Sequence, residues 1–112
     1  MENTKITLKN KEGIEYILEY NRLSVQQMER MGFSLEDVTR KPMTMFPLMF
    51  RGAFLANCRF VKEKEITEIY DNIKNREKLH NTLMTMISEC YETLTDSDEG
   101  TDTKGNVDWE IV

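Results

Sequence analysis

The chain opens with two stretches in which apolar and polar residues alternate. Residues 5–9 place Ile6 and Leu8 between polar neighbours, and residues 14–20 continue the alternation after a polar stretch at residues 10–13. A period of two is typical of half-buried strands, and two such strands around a short polar turn predict a β-hairpin. Because an isolated hairpin is only marginally stable in water, we expect it to pack on the rest of the fold or to pair with another chain.

Two capping sequences follow the hairpin. The tetrapeptide Ser-Val-Gln-Gln has the capping-box form, with Ser24 at the N-cap. It predicts a helix over residues 25–31, and Gly32 is suited to end that helix in a left-handed conformation. A weaker box at residues 34–37 predicts one short helical turn, which Pro42 would end.

The next segment is apolar on nearly every side if it is helical. Thr44 is a suitable N-cap, Pro47 is tolerated in a first turn, and the predicted helix runs to Ala56. In a domain this small, such a helix is either the central core helix or partly an interface. The sequence leaves these two alternatives open.

Three methionines and an arginine–glycine pair give this segment a second interpretation. Met43, Met45 and Met49 are equally consistent with core filling and with an adaptable binding surface. Arg51 and Gly52 conflict with a buried helix, because glycine costs about 1 kcal/mol relative to alanine and a buried arginine needs a carboxylate. They predict either a partly exposed arginine beside a close helix contact or a binding role.

Two amphipathic helices complete the folded region. Apolar residues recur every three or four positions in residues 66–73 and again in residues 79–94, with a hinge predicted at residues 72–75. Beyond them the periodicity stops and acidic, Thr- and Ser-containing sequence predicts a flexible tail. The predicted fold is therefore α+β: an N-terminal β-hairpin packed on a bundle of four or five helices in a single domain (1–94), followed by a flexible acidic C-terminal tail (95–112).

The distribution of charge restricts the partners. The 112 residues carry a net charge of -5, and residues 95–112 account for all of it, with six acidic side chains and one lysine. The neutral remainder argues against nucleic acid, which would require clustered Lys and Arg. The longest apolar run, residues 43–58, is interrupted by polar residues and falls short of the roughly 20 residues that span a bilayer. We therefore expect a cytosolic protein that binds neither nucleic acid nor membranes.

The sequence contains none of the common phosphate-binding, metal-binding or nucleophile motifs. Cys58 and Cys90 lie far apart without metal-ligand spacing and are predicted to be reduced thiols in the core. His80 is predicted to lie on the solvent-facing side of its helix, because no second ligand or base stands beside it. We expect no catalytic residue, no cofactor and no metal ion, so the chain is interpreted as a binding protein.

Trp109 is the only tryptophan and lies in the acidic tail. A large aromatic residue in otherwise polar sequence is typical of a short linear binding element. The alternative is a tail that folds back onto its own domain.

Five segments together resemble one known family, the small tail assembly chaperones of long-tailed phages and prophages of Gram-positive bacteria. The resemblance spans nearly the whole chain and depends on the order and spacing of the segments, since none of them is chemically diagnostic alone. The segments are Ser24–Glu29 with Gly32–Phe33, Lys41–Met45, Phe50–Phe54, Ile69–Asp71 and Gly105–Trp109.

The resemblance implies a chaperone in the host cytoplasm that binds the phage tape measure protein. That protein is a very long helical polypeptide, and the chaperone keeps it soluble until tail tube subunits polymerise around it. The tail tube protein is a second candidate partner, and self-association is left open. We predict that the partner surface is formed by Met45, Met49, Phe50, Arg51 and Phe54 of the apolar helix and by Trp109 of the tail.

Two other functions are consistent with the same sequence. A structural virion component, such as a tail-completion or connector subunit, would use the N-terminal hairpin to pair with neighbours in a ring. A small inhibitor of a host protein would use the acidic tail to mimic nucleic acid. The presence of the protein in purified virions would favour the first, and salt-sensitive binding to a basic host protein would favour the second.

Overall fold

The computed structural model describes residues 4–94; the tail, with Trp109, lies outside the described residues. The described chain has the predicted α+β arrangement, with an antiparallel hairpin followed by four helices. In chain order these are β1 (Ile6–Lys9), β2 (Glu15–Leu18), α1 (Arg22–Arg30), α2 (Pro42–Gly52), α3 (Glu63–Asn72) and α4 (Arg76–Glu92), with a 3-10 turn (Leu35–Val38) between α1 and α2. Over residues 4–94, no helix is both long and apolar enough to cross a membrane.

β1 and β2 form the predicted hairpin. The strands pair in antiparallel register, with Thr7 opposite Ile17. The Asn10 side chain holds the turn by accepting a hydrogen bond from the N–H of Ile14 at 2.9 Å. Gly13 has a φ of 84°, a left-handed conformation that glycine adopts without steric cost. The turn residues thus fix the register that places one face of the hairpin on the core.

The first helix begins earlier than predicted. Asn21, not Ser24, is the N-cap: its side chain accepts from the Ser24 N–H at 2.7 Å, and its own N–H donates to the Ser24 hydroxyl at 2.9 Å. Ser24 is therefore the third helical residue of a reciprocal capping box. The predicted end of the helix is confirmed. Gly32 has a φ of 106°, and the N–H of Phe33 donates to the Met28 carbonyl at 3.0 Å in a Schellman motif.

The apolar helix α2 also differs from the prediction at both ends. Pro42 is its first residue rather than the residue that ends the preceding turn, because the N–H that proline lacks has no partner at that position. The assignment of Thr44 as N-cap is therefore wrong. Pro47 lies in the second turn of the helix. The helix ends at Gly52, and the chain continues in turns where the prediction carried the helix on to Ala56.

The two amphipathic helices and the hinge between them agree with the prediction. Asn75 lies in the hinge with a φ of 54°, a left-handed conformation that asparagine tolerates better than most residues. Its side chain accepts a hydrogen bond from the N–H of Lys78 at 3.3 Å and caps α4. Asn75 thus both forms part of the hinge and caps the helix that follows it.

The core lies between the inner face of the hairpin and the helices, with α2 at its centre. This helix contacts α1, the 3-10 turn, α3 and α4. Two hydrogen bonds join the chain after β2 to the last turn of α2 and to the residue that follows it. The Glu19 N–H donates to the Ala53 carbonyl at 3.2 Å, and the Tyr20 hydroxyl donates to the Met49 carbonyl at 2.5 Å. The hairpin is thereby attached to the helix that organises the rest of the fold.

Candidate functional site: a groove between two helices

Four of the six predicted partner-binding residues lie in the core. Met45, Met49, Phe50 and Phe54 have exposed fractions of 3%, 0%, 0% and 1%. The sequence left open whether their helix is core or interface, and the structure places these four side chains in the core. A partner could contact them only if the domain opened. The surface available in the closed domain is therefore made by other residues of α2 and its neighbours.

Arg51 is the predicted residue of α2 that reaches the surface. Its side chain is 32% exposed, and its Nη1 lies 2.6 Å from Oε1 of Glu63 on α3. The neighbouring Gly52 packs closely against Met28 of α1. The interpretation as a partly exposed arginine beside a close helix contact is confirmed by this geometry. A binding role for Arg51 remains a prediction.

An open groove runs between α2 and α3 and includes Arg51 in its wall. Its volume is about 350 Å³. The groove combines apolar lining from three elements with polar and charged side chains, an arrangement that resembles the apolar centre and polar rim of protein interfaces. The lining residues are Met31, Thr44, Pro47, Leu48, Phe50, Arg51, Ile66, Thr67, Tyr70 and Asp71.

Several of these groove residues could not be recognised in the sequence. The sequence predicts a helix cap at Thr44. Thr67 lies on the exposed side of α3, where a polar residue gives no indication of a site. Ile66 was visible as part of an amphipathic pattern, but its packing partner was not. Met31 follows the last residue of α1 and is 40% exposed. It enters the groove only because α1 and α2 lie side by side, which local periodicity does not show.

His80 is not the solvent-facing side chain that the sequence predicted. Its ring stacks on Phe46 of α2, with ring centroids 4.0 Å apart and planes inclined by 12°. Nε2 of His80 lies 2.6 Å from the hydroxyl of Tyr70 on α3. Burial, and to a smaller extent the Arg76 guanidinium, lower the pKa of His80 and favour its neutral form. The imidazole thus joins α2, α3 and α4 as a packing element.

The remaining reactive side chains are buried. Cys58 and Cys90 are free thiols in the core, as predicted. Burial raises the pKa of Cys90 and keeps it in the poorly nucleophilic thiol form. In the part of the chain that the structure describes, no group of three or more His, Cys, Asp or Glu side chains is placed to hold a metal ion. The candidate site among the described residues is therefore the groove between α2 and α3.

Comparison with known proteins gives one match. A protein-family model described as "Domain of unknown function (DUF5055)" matches residues 1–112, the full length of the sequence. No curated protein and no solved structure matches the chain.

Proposed function

We propose that this chain, which belongs to the DUF5055 family, is a non-enzymatic tail assembly chaperone that binds the tape measure protein of a long-tailed phage or prophage. In this role it keeps the tape measure protein soluble in the host cytoplasm until tail tube subunits polymerise around it. The role requires no cofactor. The tail tube protein is a second partner in this proposal.

The main support for the proposal is that three separate sequence segments line the same groove. The segments Lys41–Met45, Phe50–Phe54 and Ile69–Asp71 all belong to the resemblance to tail assembly chaperones. Each contributes exposed or half-buried side chains to the lining of the α2–α3 groove, through Thr44, through Arg51, and through Tyr70 with Asp71. Segments that are separate in sequence therefore meet at one surface.

The chemistry of the groove suits an amphipathic helix as its ligand. In helix-in-groove recognition, the apolar face of a helix fills a hydrophobic channel while its polar flanks meet the rim. Here Met31 and Pro47 offer apolar contacts, and Met31 can adapt its conformation to different side chains. Arg51 and Asp71 supply charges of both signs beside them. Modest contacts of this kind favour reversible binding, which a chaperone needs in order to release its client.

Co-expression with the tape measure protein from the same gene cluster tests the proposal. We expect the tape measure protein to become soluble and to co-purify with this chain. The binding-deficient variant carries Met31→Glu and Thr67→Glu, which place two carboxylates in the groove without disturbing the core. Substitution of a buried residue such as Phe54 would instead damage the fold.

The matched control carries Leu23→Glu and Thr85→Glu. Like Met31 and Thr67, these residues are one exposed apolar side chain and one exposed threonine, but neither lines the groove. We expect the control to retain the tape measure protein and the groove variant to lose it, with both folded by circular dichroism. Equal retention by the two variants would exclude the α2–α3 groove as the binding surface. A tape measure protein that stays insoluble beside the wild-type chain would exclude the chaperone function.

A structural virion component is the second candidate, and the hairpin favours it. In the described part of the chain, β1 has β2 on one side and a groove along the other, so one strand edge is open to pairing. Subunits of a ring could join through such edges. Detection of the protein in purified virions at a fixed stoichiometry would support this function, because an assembly chaperone leaves before the virion is complete.

A further inference from the structure

The two edges of the hairpin differ in their hydrogen-bonding partners. The outer edge of β2 is covered by the chain that follows α2. The Ile17 carbonyl accepts from Nδ2 of Asn57 at 3.4 Å and lies 3.7 Å from the Cys58 thiol, and the Glu19 N–H donates to the Ala53 carbonyl. A further strand therefore cannot add on the β2 side.

The outer edge of β1 presents backbone groups that can pair with another strand. The Asn10 N–H donates to the Ile14 carbonyl, which sets the alternation of the ladder. In that alternation Leu8 exchanges hydrogen bonds with β2, whereas the N–H and C=O groups of Thr7 and Lys9 point away from β2. Within residues 4–94, these outward groups make no backbone hydrogen bond beyond the hairpin.

A second groove, larger than the first, follows this edge. Its volume is about 640 Å³, and it is bounded by the whole of β1 on one side and by α3 and the hinge on the other. Ile69 and Ile73 line it and are half-buried. A strand laid beside β1 would cover both isoleucines. The groove thus offers a hydrogen-bonding edge to a ligand and, opposite it, two half-buried isoleucines set among polar side chains that include Glu65, Glu68 and Lys74.

The end of the chain has the side-chain pattern of such a strand. In residues 106–112, Val107, Trp109 and Ile111 alternate with Asp108 and Glu110.

This alternation of apolar and acidic residues matches the alternation of inward- and outward-facing residues on β1. Ile6 and Leu8 face inward on β1. Val107, Trp109 and Ile111 of an added strand would face the same way and lie over Ile69 and Ile73 of the groove. Thr7 and Lys9 face outward. Lys9 would therefore lie beside Asp108 and Glu110 of the added strand. Opposite charges on neighbouring strands stabilise a sheet.

The chain is long enough to make this contact within one molecule. The N–H and hydroxyl of Thr4 donate to the carboxylate of Glu89 at 2.8 and 3.0 Å, which holds the start of β1 beside the end of α4. The eleven residues 95–105 that follow can extend over about 36 Å, and a four-residue strand is only about 14 Å long. An intramolecular connection also gives a high effective concentration.

We propose that residues 106–112 dock along the open edge of β1 in the same molecule and add a third strand to the hairpin. Docking places Val107, Trp109 and Ile111 over Ile69 and Ile73 of the groove. The outward N–H and C=O groups of β1 then form hydrogen bonds with residues 106–112 of the same chain. This device protects a short, exposed sheet edge from pairing with other chains.

Amide hydrogen exchange of the full-length protein tests the proposal directly. The comparison variant carries Val107→Asp and Ile111→Asp, which keeps the chain length and Trp109 but puts charge on the docking face. We expect the N–H groups of Thr7 and Lys9 to exchange at least about tenfold faster in this variant, because the third strand no longer protects them. Equal exchange rates in the two proteins would overturn the proposal.

Fluorescence of Trp109 gives an independent measurement, since it is the only tryptophan. Thr7→Pro removes an outward N–H from the β1 edge, where proline is compatible with a strand. Ile17→Pro is the matched control, because Ile17 is the register partner of Thr7 and its own N–H points to the opposite edge. We expect iodide to quench Trp109 more strongly in Thr7→Pro than in Ile17→Pro or wild type. Equal quenching in all three would contradict docking at β1.

Sedimentation distinguishes docking within one molecule from exchange between two. We expect the protection of Thr7 and Lys9 to be independent of protein concentration in a monomeric protein. Protection that appears only when dimers form would overturn docking within one molecule. It would show instead that residues 106–112 of a second copy bind the edge of β1.

Discussion

Gly52 of α2 lies directly against the side chain of Met28 of α1. A Cβ atom at position 52 would be 2.3 Å from Sδ and 2.5 Å from Cγ of Met28, distances that real Cβ contacts do not reach. Met28 is fully buried, so its thioether has no open space into which to move. The glycine that conflicts with helix propensity is therefore explained by a close crossing of two helices.

Gly52→Ala should destabilise the protein although alanine is the better helix former. The gain in helix propensity is about 1 kcal/mol, whereas overpacking a core costs about 1–3 kcal/mol, so we expect a net loss of about 1 kcal/mol in the free energy of unfolding. Urea denaturation measures it. Met28→Ala should cost less in the Gly52→Ala background than in wild type, because the shorter side chain relieves the clash. Strictly additive losses would show that the two side chains do not compete for space.

The hydrogen bond from Tyr20 to Met49 gives a second stability prediction. The tyrosine is 3% exposed, and burial raises the pKa of its hydroxyl, which keeps the donor protonated. Tyr20→Phe removes the bond and retains the ring, so we expect a loss of about 1 kcal/mol on urea denaturation. Tyr20→Leu should cost more because it also removes ring contacts. Wild-type stability in Tyr20→Phe would mean that the hydroxyl contributes nothing to joining the hairpin and α2.

His80 predicts a pH dependence of stability with a definite sign. Its pKa in the folded protein is lowered, while the unfolded chain has the ordinary value of about 6.5. Between these two pKa values the unfolded state binds more protons than the folded state. The stability that depends on neutral His80 is therefore fully present above about pH 6.5 and is lost as the pH drops towards the folded pKa.

The variant His80→Phe keeps an aromatic ring beside Phe46 but cannot titrate. We expect the free energy of unfolding of the wild type to fall more between pH 7.5 and pH 5.5 than that of the variant. Since the chain has one histidine, no other imidazole contributes. Parallel pH profiles of the two proteins would show that His80 titrates alike in the folded and unfolded states.

Local patterns were sufficient for the parts of the fold that depend on neighbours in sequence. The alternation around the Asn10–Gly13 turn predicts the hairpin, and Gly32 predicts the end of α1. The start of α1 was misplaced because Asn21 and Ser24 are both good N-caps, and only their reciprocal bonds show which one caps. The prediction for Pro42 is wrong for a similar reason, since proline is compatible with both the end of a turn and the first residue of a helix.

The candidate site could not be derived in the same way, because exposure depends on contacts distant in sequence. Met49 and Phe50 have the composition of a binding surface, but neighbouring elements cover them. The sequence predicts a solvent-facing His80 because its stacking partner, Phe46, lies on another helix. The groove itself is lined by residues of α2 and α3 together with Met31, which no local pattern brings together. Sequence periodicity identifies which side of a helix is apolar, not how much of that side remains open.

Arg51 allows a binding role to be separated from a structural one. Its ion pair with Glu63 joins side chains that are 32% and 70% exposed, and exposed pairs contribute only about 0–1 kcal/mol. We therefore expect Arg51→Gln to leave thermal unfolding nearly unchanged.

If the groove binds the tape measure protein, the same variant should retain markedly less of it on co-expression, because the guanidinium supplies several hydrogen-bond donors at the rim. Arg59→Gln is the matched control, since Arg59 donates to Gln27 at 3.0 Å and does not line the groove. Equal retention by the Arg51 and Arg59 variants would exclude a role of Arg51 in binding the tape measure protein.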